Sequence, residues 1–225
     1  MITYYAATGR MEIERRYDAK QPTIYKEGEA HDLNVYEFTL WTLIAWNILN
    51  QDELSKEYQK KCRELRLFDD QPFNHVLSRL EQRGLVASGM AYTAQDAMYE
   101  LICKLRIHPI RVHWFGKAAA LVLLFLRHNL SLRGMLRLLK PYPLSSVQKS
   151  ILTLTEQVLL TPAELIKCME KGVVRMPSED KLIDTVYQDN YNYDNLHNDT
   201  RFSCYKSPVM KAVVDLFLNK QIIFE

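Results

Sequence analysis

The stretch FNHVLSRLEQRGLVASGMAYT, residues 73–93, decides how this chain reads. Phe73, Val76, Leu77 and Leu80 recur at helical spacing and leave Asn74, His75, Ser78, Glu81 and Gln82 on the other faces. Gly84 predicts the end of that helix, because glycine takes the left-handed C-terminal position without a Cβ penalty. Leu85-Val86 then begins a strand, and Gly89 predicts a turn into a second one. Only seven glycines occur in 225 residues, so two of them around one short segment mark a defined helix-and-strand unit.

Two helices are predicted before this stretch. Asn34 is a candidate N-cap for a largely buried helix carrying Val35, Phe38, Trp41, Leu43, Ile44 and Ile48. Asp52 is the candidate cap of the next. That helix sets Leu54, Tyr58, Cys62 and Leu65 on one face and a dense set of Lys, Arg and Glu on the other. Phe68 to Pro72 is a turn, with Pro72 early in the following helix. Downstream, Thr93 caps a helix over 94–105 with Ala97, Met98, Leu101 and Leu105 inward.

Three helices followed by two short strands resemble the winged helix-turn-helix superfamily, especially its bacterial transcription regulators, over residues 34–107. The most specific piece is Val76-Leu77-Ser78-Arg79-Leu80-Glu81-Gln82-Arg83-Gly84-Leu85-Val86, which is similar to the run that ends the recognition helix in such regulators. The resemblance implies that the third helix lies in the DNA major groove and that the wing touches flanking backbone. It places Gln71, Asn74, His75 and Ser78 at base edges, where Asn and Gln can bond adenine N6 and N7, and Arg79 and Arg83 near phosphates. Two departures stand out. The expected wing, Ala87 to Tyr92, has no Lys or Arg, and residues 1–100 hold twelve basic against sixteen acidic side chains. Phosphate neutralisation supplies most nonspecific DNA affinity, so a neutral wing forfeits part of it.

The flanking regions are read more simply. Residues 1–33 alternate in places and contain Gly9, Pro22 and Gly28, which predicts short strands or an extended arm. From Leu101 to Thr155 there is no acidic residue, and nine Lys or Arg make this the electropositive part of the chain. Helices are predicted over Gly116–Leu126, from Ser131, from Ser145 or Ser146, and from Asp180 to Gln188. Another follows Thr161-Pro162-Ala163-Glu164, where Thr, Pro and Glu form a capping box closed by Gly172, and the last opens at Ser207-Pro208 and ends at Asn219. Ile222-Ile223-Phe224 reads as a strand, and Tyr187 to Tyr205, rich in Tyr, Asn and Asp, as a loop. Its carboxylates lack the glycine and terminal glutamate of an EF-hand, so no calcium site is predicted.

The expected fold is therefore mainly α. A winged helix-turn-helix domain with a small two-stranded wing occupies 34–107, short strands or an extended arm 1–33, and a helical dimerisation or regulatory domain 108–225. A degenerate second winged helix is the alternative for that last part.

Composition limits the function classes. At 48% hydrophobic and net charge +2 the chain is built to bury a core. Four scattered cysteines with no C-x-x-C pair give neither a zinc site nor a disulfide framework, which fits a reducing cytoplasm. The longest apolar run, Ala118 to Leu126, is too short to span a bilayer, and the N-terminus lacks a secretory pattern. No phosphate loop, nucleophile elbow, H-E-x-x-H or dinucleotide fingerprint occurs, so no catalytic residues, metal or cofactor are expected. The expected function is a cytoplasmic, homodimeric transcriptional regulator bound to double-stranded DNA. The alternatives are a protein-interaction adaptor and a tandem winged-helix replication or plasmid-maintenance initiator.

Overall fold

The computed structural model describes residues 1–16, 19–67, 71–110, 143–187 and 193–225. Among them lie eight strands and nine helices: β1 (Ile2–Ala7), β2 (Arg10–Arg16), β3 (Ala19–Lys26), β4 (Glu29–Asp32), α1 (Val35–Ile44), β5 (Leu49–Asn50), α2 (Gln51–Glu64), α3 (Phe73–Gln82), β6 (Val86–Ala91), α4 (Ala94–Ile102), β7 (Ile107–Pro109), α5 (Ser146–Thr155), α6 (Pro162–Glu170), α7 (Glu179–Val186), α8 (Tyr193–Thr200), α9 (Lys206–Leu218) and β8 (Ile222–Phe224). The strands form three small antiparallel sheets, ordered β5-β1-β6, β2-β3-β4 and β7-β8. The mainly α expectation is thus corrected to a mixed helix-and-sheet chain. The expected helices over Gly116–Leu126 and from Ser131 lie outside the described residues.

The wing is the clearest revision. Val86 to Ala91 is one uninterrupted strand, and its partner is the N-terminal β1, paired from Ile2↔Ala91 to Ala7↔Val86. Gly89 does not turn the chain. Its role is close approach, since a Cβ there would lie 2.2 Å from the Leu101 amide nitrogen and 2.5 Å from the Ala97 carbonyl oxygen of α4. The chain runs from β6 through a Thr93 cap directly into α4, so no second wing strand follows. Of the two expectations for residues 1–33, the structure has the short strands. β1 is the centre of one sheet, and β2 to β4 form a meander held by full antiparallel registers.

Local capping signals explain most helix starts. Asn34, Ser145 and Thr161 each close a capping box, with Glu37, Gln148 and Glu164 at the third helical position. For α2 the cap is Asn50 with Glu53, two residues before the expected Asp52. The expected loop after Tyr187 contains α8, which buries Leu196 and Thr200. Polar composition hid it, because only one aliphatic side chain, beside buried His197 and Thr200, anchors its two turns.

Two apolar clusters make the core. One gathers α1, α2, α3 and the β1 and β6 residues facing them, among them Leu40, Ile44, Leu54, Val76, Leu80 and Leu85. The other holds α5, α6, α9 and β8 together with Tyr99, Leu101 and Ile102 of α4, so α4 belongs by packing to the C-terminal half. The seam between α4 and α8 is polar. The Tyr99 hydroxyl donates to the His197 carbonyl at 2.7 Å and meets Thr200 Oγ1 at 2.8 Å, while the His197 ring stacks on Tyr99 at 4.9 Å. Glu100 pairs with both Arg201 and His197. Lys206 bonds Asp96 at 2.9 Å and lies over the Tyr99 ring.

Two outcomes follow from this packing. Gly89→Ala forces a methyl group into α4 backbone, and urea denaturation should show a loss of about 3 kcal/mol or more. Burial depresses the His197 pKa below 6.5, outweighing Glu100, while Lys104 and Arg201 push the same way. The unfolded chain therefore binds the proton more readily. Stability contributed by neutral His197 is fully present above pH 6.5 and is lost as pH falls through the lower folded value, and His197→Gln should flatten that part of a stability-versus-pH curve.

Candidate nucleic-acid interface

α3 forms because Val76, Leu77 and Leu80 supply a buried stripe, and it stops because Gly84 sits at φ +64°. The Leu85 amide donates back to the Leu80 carbonyl at 2.9 Å, and the Gly84 amide to the Glu81 carbonyl at 2.8 Å, a Schellman-type end. The Gly84 carbonyl then accepts from Thr8 Oγ1 at 2.5 Å and Lys26 Nζ at 2.7 Å. These bonds tie the end of α3 to β3 and to Thr8 just beyond β1.

Glu37 of α1 fixes the other side. Its carboxylate lies 3.0 Å from Arg79 and 3.2 Å from Arg83, with a side chain only 2% exposed. The same carboxylate closes the α1 capping box by accepting from the Asn34 amide at 3.0 Å. Arg83 also donates to the Asp32 carbonyl at 2.8 Å. The two arginines expected at phosphates are therefore engaged inside the protein, as the α1–α3 clamp. Sequence reasoning missed this because Glu37 and Arg83 are far apart in the chain and Glu37 reads as a cap alone.

Of the other expected residues, Asn74, His75 and Ser78 are exposed on the outer face of α3, joined by Gln82. Gln71 is not part of that face; it is half-buried and its Oε1 is shut from solvent. The exposed positions are thus polar and uncharged, on a helix held along its C-terminal half.

α2 adds basic groups from the face where a dense set of Lys, Arg and Glu is expected. Lys56, Lys60 and Arg63 share one exposed stripe at helical spacing, and Arg66 follows. Glu57 stands 3.8 Å from Lys60, too loose and exposed to neutralise it. Between α2 and the start of α3 lies a groove of about 590 Å³, lined by Gln59, Cys62, Arg63, Pro72 and Phe73 over a Tyr58–Phe73 ring contact. The α3 N-terminus carries no side-chain cap, so its first amides and Arg63 border one recess.

Nucleophilic chemistry finds little footing. Burial pushes the Cys103 and Cys168 thiols up to about 12, so both stay protonated at neutral pH. No group of three or more His, Cys, Asp or Glu side chains suited to a metal occurs among the described residues, and no described helix is long and apolar enough to cross a membrane.

Comparison with known proteins adds no relative: no protein-family model, curated protein or solved structure matches the chain.

The clamp makes a specific demand. Glu37→Gln keeps a capping side chain but leaves two arginines without a counter-charge. A loss of about 2 kcal/mol is expected by urea denaturation, below the figure for a fully buried pair because both arginines reach solvent.

Proposed function

We propose that the chain is a double-stranded DNA-binding regulator that inserts α3 into the major groove while α2 crosses the backbone, in the manner of a helix-turn-helix pair. The observation that carries this reading is an exposed, uncharged polar face on α3 together with an exposed basic stripe on the neighbouring α2, whose Arg63 borders the groove at the start of α3. Asn74, His75, Ser78 and Gln82 have the donors and acceptors that read base edges. Lys56, Lys60 and Arg63 replace Arg79 and Arg83 as the phosphate contacts, because a side chain held by buried Glu37 is a poor donor to DNA. Free cysteines at all four positions agree with work in the cytoplasm.

A second reading, a protein-interaction adaptor, is favoured by one observation. The Glu37 clamp consumes two of the positive charges nearest α3, in a half of the chain that is acidic on balance. Such an adaptor would present the same α3 face to a polar protein surface.

The experiment is binding to random-sequence duplex DNA at about 50 and about 200 mM salt, with a Lys56→Ala, Lys60→Ala, Arg63→Ala variant and a separate Asn74→Ala, Ser78→Ala variant. Binding that weakens steeply with salt is expected. The α2 variant should weaken binding on every sequence and lower the salt slope by about 3, whereas the α3 variant should mainly erase preference among selected sequences. Absence of binding at the lower salt, with an unchanged circular dichroism spectrum, would sink the DNA reading and favour the adaptor.

A further inference from the structure

We infer that β7 to β8 is a second, diverged copy of the unit that runs from β1 to β6, and that α9, its counterpart of α3, is a surface on which a second copy of this chain docks. The correspondence is one of position as well as of order. Asn34 to Leu54 and Ser145 to Leu165 match residue for residue without a gap. The caps Asn34 and Ser145 fall together, as do the buried capping-box partners Glu37 and Gln148 and the core residues Leu40 and Ile151. The short strand residue Leu49 matches Leu160, the caps Asn50 and Thr161 follow, and then come Glu53 with Glu164 and Leu54 with Leu165.

The helix ends agree as well. In α2 the Leu67 amide returns to the Cys62 carbonyl across Arg66 at φ +54°, and in α6 the Val173 amide returns to the Cys168 carbonyl across Gly172 at φ +64°, both at 2.9 Å. In α3 the Leu85 amide returns to Leu80 across Gly84, and in α9 the Gln221 amide returns to Leu216 across Lys220 at φ +58°, again both at 2.9 Å.

Strand register closes the argument. Tyr5 of β1 pairs with Leu49 and Ser88, and Ile107 of β7 pairs with Leu160 and Phe224, which are the matching residues. The next positions continue in step, Ala6↔Ala87 beside His108↔Ile223 and Ala7↔Val86 beside Pro109↔Ile222. Common helix-capping chemistry could repeat a box by chance. It would not also reproduce both strand registers and both left-handed helix ends. α7 and α8 are then an insertion between the second and third helices of the second copy.

Divergence falls on the third helix. Arg79 and Arg83 correspond to Asp215 and Asn219, and Glu37 to the uncharged Gln148, so the second copy has no clamp. Where the clamp fills the first copy, a groove of about 490 Å³ opens between α5 and α9, lined by Leu144, Val147, Pro208, Lys211 and Asp215. The α3 positions held by Pro72, His75, Ser78, Arg79 and Gln82 become Pro208, Lys211, Val214, Asp215 and Leu218, with Leu218 44% exposed. Lys211 and Asp215 form no ion pair with described residues, either with each other or elsewhere.

That face is self-complementary. Laid antiparallel on its own copy about a two-fold axis near residue 213, α9 sets Lys211 against Asp215 of the second chain, and Pro208 against its Leu218, at both ends of one contact. A charge pair repeated by symmetry and flanked by apolar contacts specifies register and partner together. The second copy of the unit thus serves assembly, and the dimer presents two α3 helices.

Sedimentation equilibrium without DNA tests this on the full chain, up to about 100 µM, for the native protein, Lys211→Glu, Asp215→Lys and the doubly reversed variant. The native chain should dimerise, each single reversal should weaken association about tenfold or more, and the double reversal should restore it. A native chain that remains monomeric, single reversals without effect, or a double variant no better than the singles would each overturn the antiparallel α9 contact. Both substitution sites are exposed or half-exposed, and circular dichroism confirms folding. Because no nucleic acid enters the measurement, its failure leaves the DNA reading standing, and failure of DNA binding leaves this association standing.

Discussion

A single buried carboxylate sets the geometry of the N-terminal half. Glu37 is taken out of water at the start of α1, where isolated burial of a charge would be prohibitive. Three groups offset that cost: the Asn34 amide and Arg83 donate to Oε2, and Arg79 lies as an ion pair 3.0 Å from Oε1. The result is directional. A purely apolar α1–α3 contact could slide or rotate, whereas two guanidinium groups one helical turn apart, gripping one carboxylate, fix both the crossing and the rotation of α3. The face carrying Asn74, Ser78 and Gln82 is outward because the opposite side is apolar and the flank is clamped.

The clamp also separates two roles that the chain of arginines invites one to merge. A basic residue at the end of an exposed helix is an obvious phosphate ligand, yet a half-exposed arginine facing a desolvated carboxylate a few ångströms away has a far stronger partner already in place. Positive charge available to an outside anion then comes from α2, where carboxylate neighbours are exposed and their pairing is weak. Charge count along the sequence and charge available at the surface are different quantities here.

Local chemistry was legible in the sequence and long-range pairing was not. Asn34, Thr93 and Thr161 were readable as caps because the bond each makes is to an amide two or three residues on. Gly84 and Gly172 were readable as helix ends for the same reason. Gly89 misled, because glycine serves equally for a turn and for the close approach of another helix, and only the position of α4 distinguishes them. The partner of β6 lies at the opposite end of the unit, so no window around residues 86–91 could have revealed β1. On α3, the exposed residues Asn74, His75 and Ser78 were assigned to the outer face correctly by periodicity. Arg79 and Arg83 were also placed on the right helix, but their real partner depends on a tertiary contact.

The repeat itself illustrates why such a relationship can be physically strong and textually faint. What the two units share is a set of constraints: a side-chain oxygen at the caps of the first two helices, a Glu or Gln three residues later, an apolar group at matching core positions, and a left-handed residue at the ends of the second and third helices. Each is met by several residue types, Asn or Ser, Glu or Gln, Leu or Ile, Gly, Arg or Lys. Few identities therefore survive, although the capping boxes, the second and third helix ends and the central strand register do. The positions free of these constraints are those facing outward from α3 and α9, and there the copies differ in kind: uncharged polar side chains over a clamped groove in one, opposed charges and aliphatic groups beside an open groove in the other. A frame maintained by interchangeable residues can keep its geometry while its exposed third helix changes partner, which is how one architecture comes to offer two chemically distinct surfaces within a single chain.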